Sequence, residues 1–270
     1  METGGNLKFT NKHSILFLNW TVEELWLTVS FNRVAEIYDE TRGFPVFVMD
    51  KIIKILSDEL EGYASILDVG VGTARFSKPL QPQGHYVVGV DVSSKMLRKA
   101  VERGMHNLLR GSVYSLPFRD DSFEVTISAG LLHLVKEWKV ALREVSRVTR
   151  KLLVSVIHRA KIPPRKEYVD LLVKHGWKLP QRGIAEREFG AIIKPTKSIN
   201  VTTYEASVSE SLAFLERKAY SYQWDVPEEI HVRVMQQLKT RSFPDVYSVK
   251  VEVLVWDIET ICDFVQLPEN

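Results

Sequence analysis

The run Ile66-Leu67-Asp68-Val69-Gly70-Val71-Gly72-Thr73-Ala74-Arg75 constrains this 270-residue chain more than any other stretch. Apolar residues lead into Asp68 and glycines follow at 70 and 72, so the run reads as a buried strand, a tight turn and the start of a helix. Glycine lacks a Cβ, which lets a backbone turn sharply and approach a ligand closely. A helix opening at such a turn directs free N–H groups and its positive dipole end at whatever binds. A G-x-G alone is equally a turn that binds nothing. The sequel separates the two readings. Tyr86 to Asp91 reads as a second strand ending in an acid. Asp91 follows the glycines by about 20 residues, the spacing at which a carboxylate reaches a nucleoside ribose. Together the two stretches favour a nucleoside-binding β–α–β unit.

The alternation continues downstream. Strands are expected at 65–69, 86–91, 107–110, 123–129 and 152–157. Helices are expected at 74–80, from Ser93 or Ser94 to about Arg103, and at 138–149. Two more helices, over 31–38 and 44–60, precede the first strand, with Pro45 in the first turn of the second. This order predicts an α/β fold with a doubly wound, mostly parallel sheet. Residues 152–157 are nearly all apolar, as in a strand covered on both faces. After His158 the rhythm breaks at Pro163-Pro164. Helical patterns follow near 168–174, 209–218 and 227–238, with an extended stretch near 192–204, and clean alternation returns only at 247–256. Residues 160–245 are therefore expected to form an α-rich cap inserted before the last strand, since a structureless loop of that length is improbable.

Composition narrows the partners. A 45 % hydrophobic share with 26 % charge describes a soluble globular chain, and a net charge of +2 selects no partner by itself. The single Cys262 excludes an internal disulfide, no Cys/His cluster has metal spacing, and a cytoplasmic setting with no bound metal is expected. Ile15 to Phe31 is rich in apolar residues, but Glu23 and Glu24 stand in its middle, where acids are expensive in lipid. No small-residue cleavage site follows, so residues 1–30 are read as an arm, helical or irregular, packed on the domain. Residues 159–250 carry more Lys and Arg than Asp and Glu. Arg159, Lys161, Arg165 and Lys166 fall just past the fifth strand, at the sheet end where ligands bind. They are solvated loop cations, or contacts to an anionic acceptor or an RNA phosphate. The aromatic residues Tyr168, Trp177, Tyr204, Phe214, Tyr220, Tyr222 and Trp224 either line a pocket or build the cap's own core.

Four stretches resemble the class I S-adenosylmethionine-dependent methyltransferases, in particular their broad type 11 group, and cover about residues 31–158. Leu67 to Ala74 looks like the family's glycine motif, and Val88 to Ser93 like its second-strand acid. Leu116-Pro117-Phe118-Arg119-Asp120-Asp121-Ser122-Phe123-Glu124 resembles its L-P-F-x-D-x-S-F-D segment, and Ala141 to Val148 its A-L-x-E-x-x-R-V helix. Tyr38-Asp39-Glu40-Thr41-Arg42 is similar to an element often found just ahead of the domain. The resemblance implies a Rossmann-like methyltransferase domain over 31–159 and 246–270 with S-adenosyl-L-methionine as cofactor. It implies that Gly70 and Gly72 admit the cofactor's methionine part, that Asp68 holds its ammonium directly or through water, and that Asp91 accepts from the ribose hydroxyls. Val92 and Met96 would sandwich the adenine. Ser112 and Val113 would stand at the adenine edge and Ala129 at the end of the fourth strand. Tyr38 and Arg42 would close over the site, with Arg42 reaching the cofactor's carboxylate or else pairing with Asp39 or Glu40. Three positions depart from the pattern. Ala74 replaces a third glycine, Ser112 replaces an acid, and Thr149-Arg150-Lys151 stands where a Pro-Gly turn is usual.

Methyl transfer from a sulfonium needs alignment and exclusion of water more than proton transfer. His133, just past the fourth strand, is the candidate base if the acceptor arrives protonated; its other reading is a residue that orients a loop. His158 either faces an acceptor pocket or is a hydrogen-bonded structural histidine. The expected acceptor is a small molecule selected by the cap. The alternatives are an RNA such as tRNA, or a nucleoside-binding partner subunit without activity, suggested by Ser112. A nicotinamide-dependent oxidoreductase shares the glycine turn and the acid, but not the segment 116–123.

Overall fold

A computed structural model describes residues 31–180 and 182–266 in full and the backbone of residues 15–17. Eight strands form one sheet: β1 (Ile15–Phe17), β2 (Ser65–Val69), β3 (Tyr86–Asp91), β4 (Leu108–Arg110), β5 (Phe123–Ser128), β6 (Thr149–Ala160), β7 (Lys197–Ser207) and β8 (Val246–Asp257). Their spatial order is β1-β4-β3-β2-β5-β6-β8-β7. Every pair from β1 to β6 is parallel, whereas β8 runs antiparallel to both β6 and β7. The expected doubly wound, mostly parallel α/β sheet is present, with β2 at the switch point between β3 and β5. The arm expected over residues 1–30 lies outside the described residues, apart from Ile15–Phe17, which adds an edge strand.

Strand residues alternate between the two sheet faces, and both faces are covered. On one face Ile66, Val87, Val125 and Val154 pack under Ile52, Leu56 and Leu60 of α2 (Val46–Leu60). The same cluster takes in Leu97 and Ala100 of α3 (Ser94–Glu102). On the other face Leu67, Val88 and Leu153 meet Leu142 and Val145 of α4 (Trp138–Val148), together with Phe189 of α6 (Glu186–Ile192) and Ile261 of α9 (Ile258–Gln266). Each such fully buried side chain contributes roughly 1.5–3 kcal/mol.

The fold also explains why the segments 116–124 and 141–148 belong together. Arg147, near the end of α4, donates to Asp120 (2.7 Å), to the carbonyls of Phe118 (2.8 Å) and Leu116 (3.0 Å), and to both oxygens of Glu144. Glu144 in turn accepts from the Leu116 backbone N–H at 2.7 Å. One ion pair on a helix thus ties down the whole loop ahead of β5.

Three expectations about elements need correction. No α-helix follows the glycine turn. Ala74 takes a left-handed φ of 58°, and the chain then forms a 3-10 helix over Lys78–Gln83. Pro79 and Pro82 lack the N–H groups an α-helix would need there. The expected helix over 31–38 is instead two 3-10 turns, Phe31–Arg33 and Ala35–Ile37, which lead into α1 (Tyr38–Arg42). The sheet resumes at β7, inside the 160–245 stretch, rather than near 246. Ile199 and Tyr204 of this edge strand pack against the same core cluster as α2, and Phe189 of α6 packs beneath Trp256 at 5.0 Å. The remainder of the stretch has its own core. Tyr168, Leu171 and Leu172 of α5 (Pro163–Lys174) meet Leu215 of α7 (Val208–Glu216) and Val234 and Leu238 of α8 (Glu228–Lys239).

Candidate active site

The glycine turn joins β2 to the crevice between β3 and β5. Gly70 and Gly72 have φ of 70° and 54°, a region that side-chain-bearing residues avoid. A Cβ on Gly70 would also lie 3.0 Å from the Leu131 side chain. The Gly70 and Val71 N–H groups donate to the Val90 carbonyl, which locks the turn onto β3. Asp91, the last residue of β3, accepts from Gly72 N (2.9 Å) and Ser93 N (2.8 Å). The turn's N–H groups therefore bind the protein itself and not a ligand, and what the site offers is the Asp91 carboxylate. Burial pushes its carboxyl up, opposed by the backbone N–H groups of Ser93, Gly72 and Val92. Each carboxylate oxygen keeps a further lone pair for a hydroxyl donor.

A cleft open to solvent spreads from this acid. Its walls include Tyr38, Gly70, Gly72, Asp91, Val92, Met96, Val113 and Ala129 of the predicted residues. Met96 is held in the first turn of α3 by the Ser93 hydroxyl, which caps that helix. Asp68 does not line the cleft. It lies in β2 beneath the turn, nearly buried, where burial pushes its carboxyl up to about 7, against the pull of nearby Ser77 and Arg75. Ser112 is also turned away: its hydroxyl accepts from Tyr114 N at 3.2 Å and closes a loop.

Arg42 departs further from expectation. It does not enter the cleft, nor does it pair with Asp39 or Glu40. Its guanidinium donates to the Ala219 carbonyl (2.8 Å) and lies 4.3 Å over the Tyr220 ring. Asp39 instead binds Thr73 (2.7 Å) and Arg103 (2.5 Å), seating α1 on the glycine turn, while Glu40 pairs with Arg217. Of the four cations expected in a loop past the fifth strand, Arg159 lies within β6 and Arg165 and Lys166 in α5; Arg159 pairs with Glu252 and Lys166 with Asp170, so two are already neutralised.

His133 sits in the 3-10 turn Leu132–Leu134, half-exposed, with Nδ1 3.7 Å from Glu186 Oε2. Glu186 also accepts from the backbone N–H groups of Leu131 (2.6 Å) and Leu132 (3.0 Å). Burial pushes the Glu186 carboxyl up, but the His133 ring and the backbone N–H groups of Glu186 and Leu132 outweigh it and hold the carboxyl below its usual range. Sequence reasoning missed Glu186, because an acid in the first turn of a helix reads as ordinary dipole compensation. It also missed Phe31, which lines the cleft and packs edge-on against Tyr38 (5.7 Å) and Trp224 (5.1 Å). Among the described residues no His/Cys/Asp/Glu group is placed to hold a metal, and no helix is long and apolar enough to cross a membrane.

A mostly parallel doubly wound sheet, a glycine turn at its switch point and an acid ending the next strand define a nucleoside-binding α/β domain. The comparisons specify its kind. A family model described as a methyltransferase domain matches residues 67–152, the stretch that resembles the class I, S-adenosylmethionine-dependent methyltransferases. The chain is 35 % identical over 155 residues to the demethylmenaquinone methyltransferase of Streptomyces avermitilis, covering 53 % of this chain and 66 % of that protein. It is 38 % identical over 132 residues to the malonyl-[acyl-carrier protein] O-methyltransferase of Erwinia pyrifoliae, covering 48 % and 49 %. The chain thus spans less than two thirds of the length of these relatives. The solved structure of the YcgJ protein from Bacillus subtilis has the same fold, with a TM-score of 0.53 at 19 % identity over 77 % of this chain and 98 % of that one.

Proposed function

We propose that this protein transfers a methyl group from S-adenosyl-L-methionine to a small-molecule acceptor entering between the cleft and the α5–α7–α8 cap, which selects it. The carrying observation is the Asp91 carboxylate, fixed by Gly72 and Ser93 at the mouth of the β2–β3 crevice. The other residues fit the same ligand. Val92, Met96 and Val113 give an apolar slot for a base, and Asp68, pushed up by burial beneath the turn, gains from the approach of the ammonium. Bound there, the cofactor supplies a methyl group on a sulfonium, open to in-line displacement by the acceptor's nucleophile. The chain's own part is to bind and orient, with Phe31, Tyr38 and Leu134 keeping water out. The relatives named demethylmenaquinone methyltransferase support a small-molecule acceptor.

Titration calorimetry with S-adenosylhomocysteine tests the reading. Wild type is expected to bind, and Asp91→Ala to weaken binding about 100-fold by losing hydrogen bonds to a charged group. Equal affinity in the variant would show the ribose contact misplaced. For acceptors that arrive protonated, His133 is assigned as the base and Glu186 as its positioning residue. His133→Asn should then lower turnover by about 100-fold without changing S-adenosylhomocysteine affinity. Undiminished turnover would leave His133 a loop residue.

A further inference from the structure

We propose that the acceptor carries an anionic group, a carboxylate or phosphate, received by Arg42, Arg75 and Arg165 where β6 ends beside the cofactor cleft. The inference rests on the methyltransferase reading and names the chemical class of its acceptor.

The three guanidiniums form one connected patch. Arg165, in the first turn of α5, lies 4.2 Å over the Tyr220 ring and 5.7 Å over that of Tyr222, which is stacked on Tyr220. Arg42 lies over Tyr220 as well. Arg75 donates to the Arg42 carbonyl and packs against the rings of Tyr38, Phe44 and Phe76 at 5.5, 5.6 and 4.8 Å. Phe44 in turn meets His158 edge-on at 6.3 Å. Since Tyr38 also lines the cofactor cleft, the patch is continuous with it.

What sets this patch apart is that three guanidiniums gather on shared aromatic rings with no counter-charge among them. Arg103, Arg147, Arg159, Arg217 and Arg241 each pair with a carboxylate. Among the described residues none lies in ion-pair range of Arg42, Arg75 or Arg165. Glu186 is committed to Leu131, Leu132 and His133. Taking cations partly out of water without a partner costs free energy, and an incoming anion would offset it. Aromatic faces hold a guanidinium flat while leaving N–H edges for a planar oxyanion. The Tyr222 hydroxyl is buried beside Arg165 without a hydrogen bond of ordinary geometry. His158 reaches solvent at one edge, but the protein packed around it, then Arg165, Arg75 and Arg187, push its ring down to about 4, opposed in part by Glu186. It therefore stands neutral at pH 7 and adds a hydrogen-bonding group without adding charge.

The test is calorimetry on the full chain saturated with S-adenosylhomocysteine, titrated with inorganic phosphate or malonate at constant ionic strength held by chloride. Saturable binding of either anion is expected, weakened about tenfold or more by Arg165→Met. S-adenosylhomocysteine affinity should be the same in both proteins. Tighter phosphate assigns a phosphoryl acceptor, tighter malonate a carboxylate. Intact S-adenosylhomocysteine binding with no saturation by either anion overturns the anion site alone. Unweakened binding in Arg165→Met does the same. Absence of S-adenosylhomocysteine binding overturns the methyltransferase reading, and this one with it. Should Arg165→Met not fold, an NMR titration of His158 in wild type decides. Saturating anion must raise the ring's pKa, because it cancels the guanidiniums that depress it; an unmoved value refutes the site.

Discussion

Arg147 and Arg165 each stand on a helix beside the same sheet, yet their surroundings differ in kind. Arg147 spends its N–H groups on Glu144, Asp120 and two carbonyls, and Glu144, then Asp120, hold its proton above the ordinary range. Arg165 rests on two tyrosine rings with no carboxylate in ion-pair range among the described residues. An arginine whose donors are all matched within the chain holds the fold together. One with no carboxylate partner beside a cleft is placed to serve a ligand, as proposed for Arg165. The contrast separates scaffold from site by counting partners.

The first way to break the contrast carries the largest effect. Arg147→Met should cost about 2–3 kcal/mol of folding stability. It leaves Glu144 with little exposure and no cation, and frees the carbonyls of Leu116 and Phe118. Urea unfolding should show a lower midpoint with an unchanged slope. S-adenosylhomocysteine affinity should hold while the variant is folded. A loss below about 1 kcal/mol would mean the clamp is ornamental.

Asp68 offers the acidic version of an unmatched group, with a slightly smaller expected effect and a clear sign. Its carboxyl moves from the usual 3.8 up to about 7, first through burial and then through Asp91. The folded chain therefore holds this proton more tightly than the unfolded chain. The associated stability is fully present below about 4, is lost as pH rises to about 7, and stays lost above. Asp68→Asn should then be more stable than wild type by about 2 kcal/mol in mildly alkaline buffer, with the gain vanishing near the ordinary carboxylate range. The same variant should bind S-adenosylhomocysteine more weakly. Urea melts across that range that run parallel for both proteins would refute the buried-acid account.

Much of the scaffold was readable because its signals are local. The strand, turn and acid from Ile66 to Asp91 announce themselves by apolar runs and glycines, and the structure joins Gly72 to Asp91 directly. The elements that escaped depend on distant partners. Arg42 sits in a stretch that resembles a cofactor contact, but its partner carbonyl is Ala219, 177 positions away. Glu186 fixes the loop after β5 from 55 positions further on, and nothing in its own neighbourhood foretells that. The edge strand β7 mixes polar and apolar residues, and on one side it has no strand neighbour among the described residues, so its pattern blurs into that of a loop. Ala74 stands at the expected start of a helix, but its left-handed φ and the prolines at 79 and 82 exclude one there.

The smallest expected effect sharpens the contrast most. Arg165→Met removes a cation–π contact of about 0.5–1 kcal/mol but leaves no carboxylate stranded, and methionine keeps apolar contact with Tyr220 and Tyr222. Removing Arg165 also relieves repulsion with Arg42, whose charge it opposes. The two terms have opposite signs, so the unfolding midpoint should stay close to wild type while Arg147→Met falls well below it. If Arg165→Met instead loses as much stability as Arg147→Met, the tyrosine stack is a structural clamp, and matched partners no longer distinguish the arginines that build this fold from those that serve its chemistry.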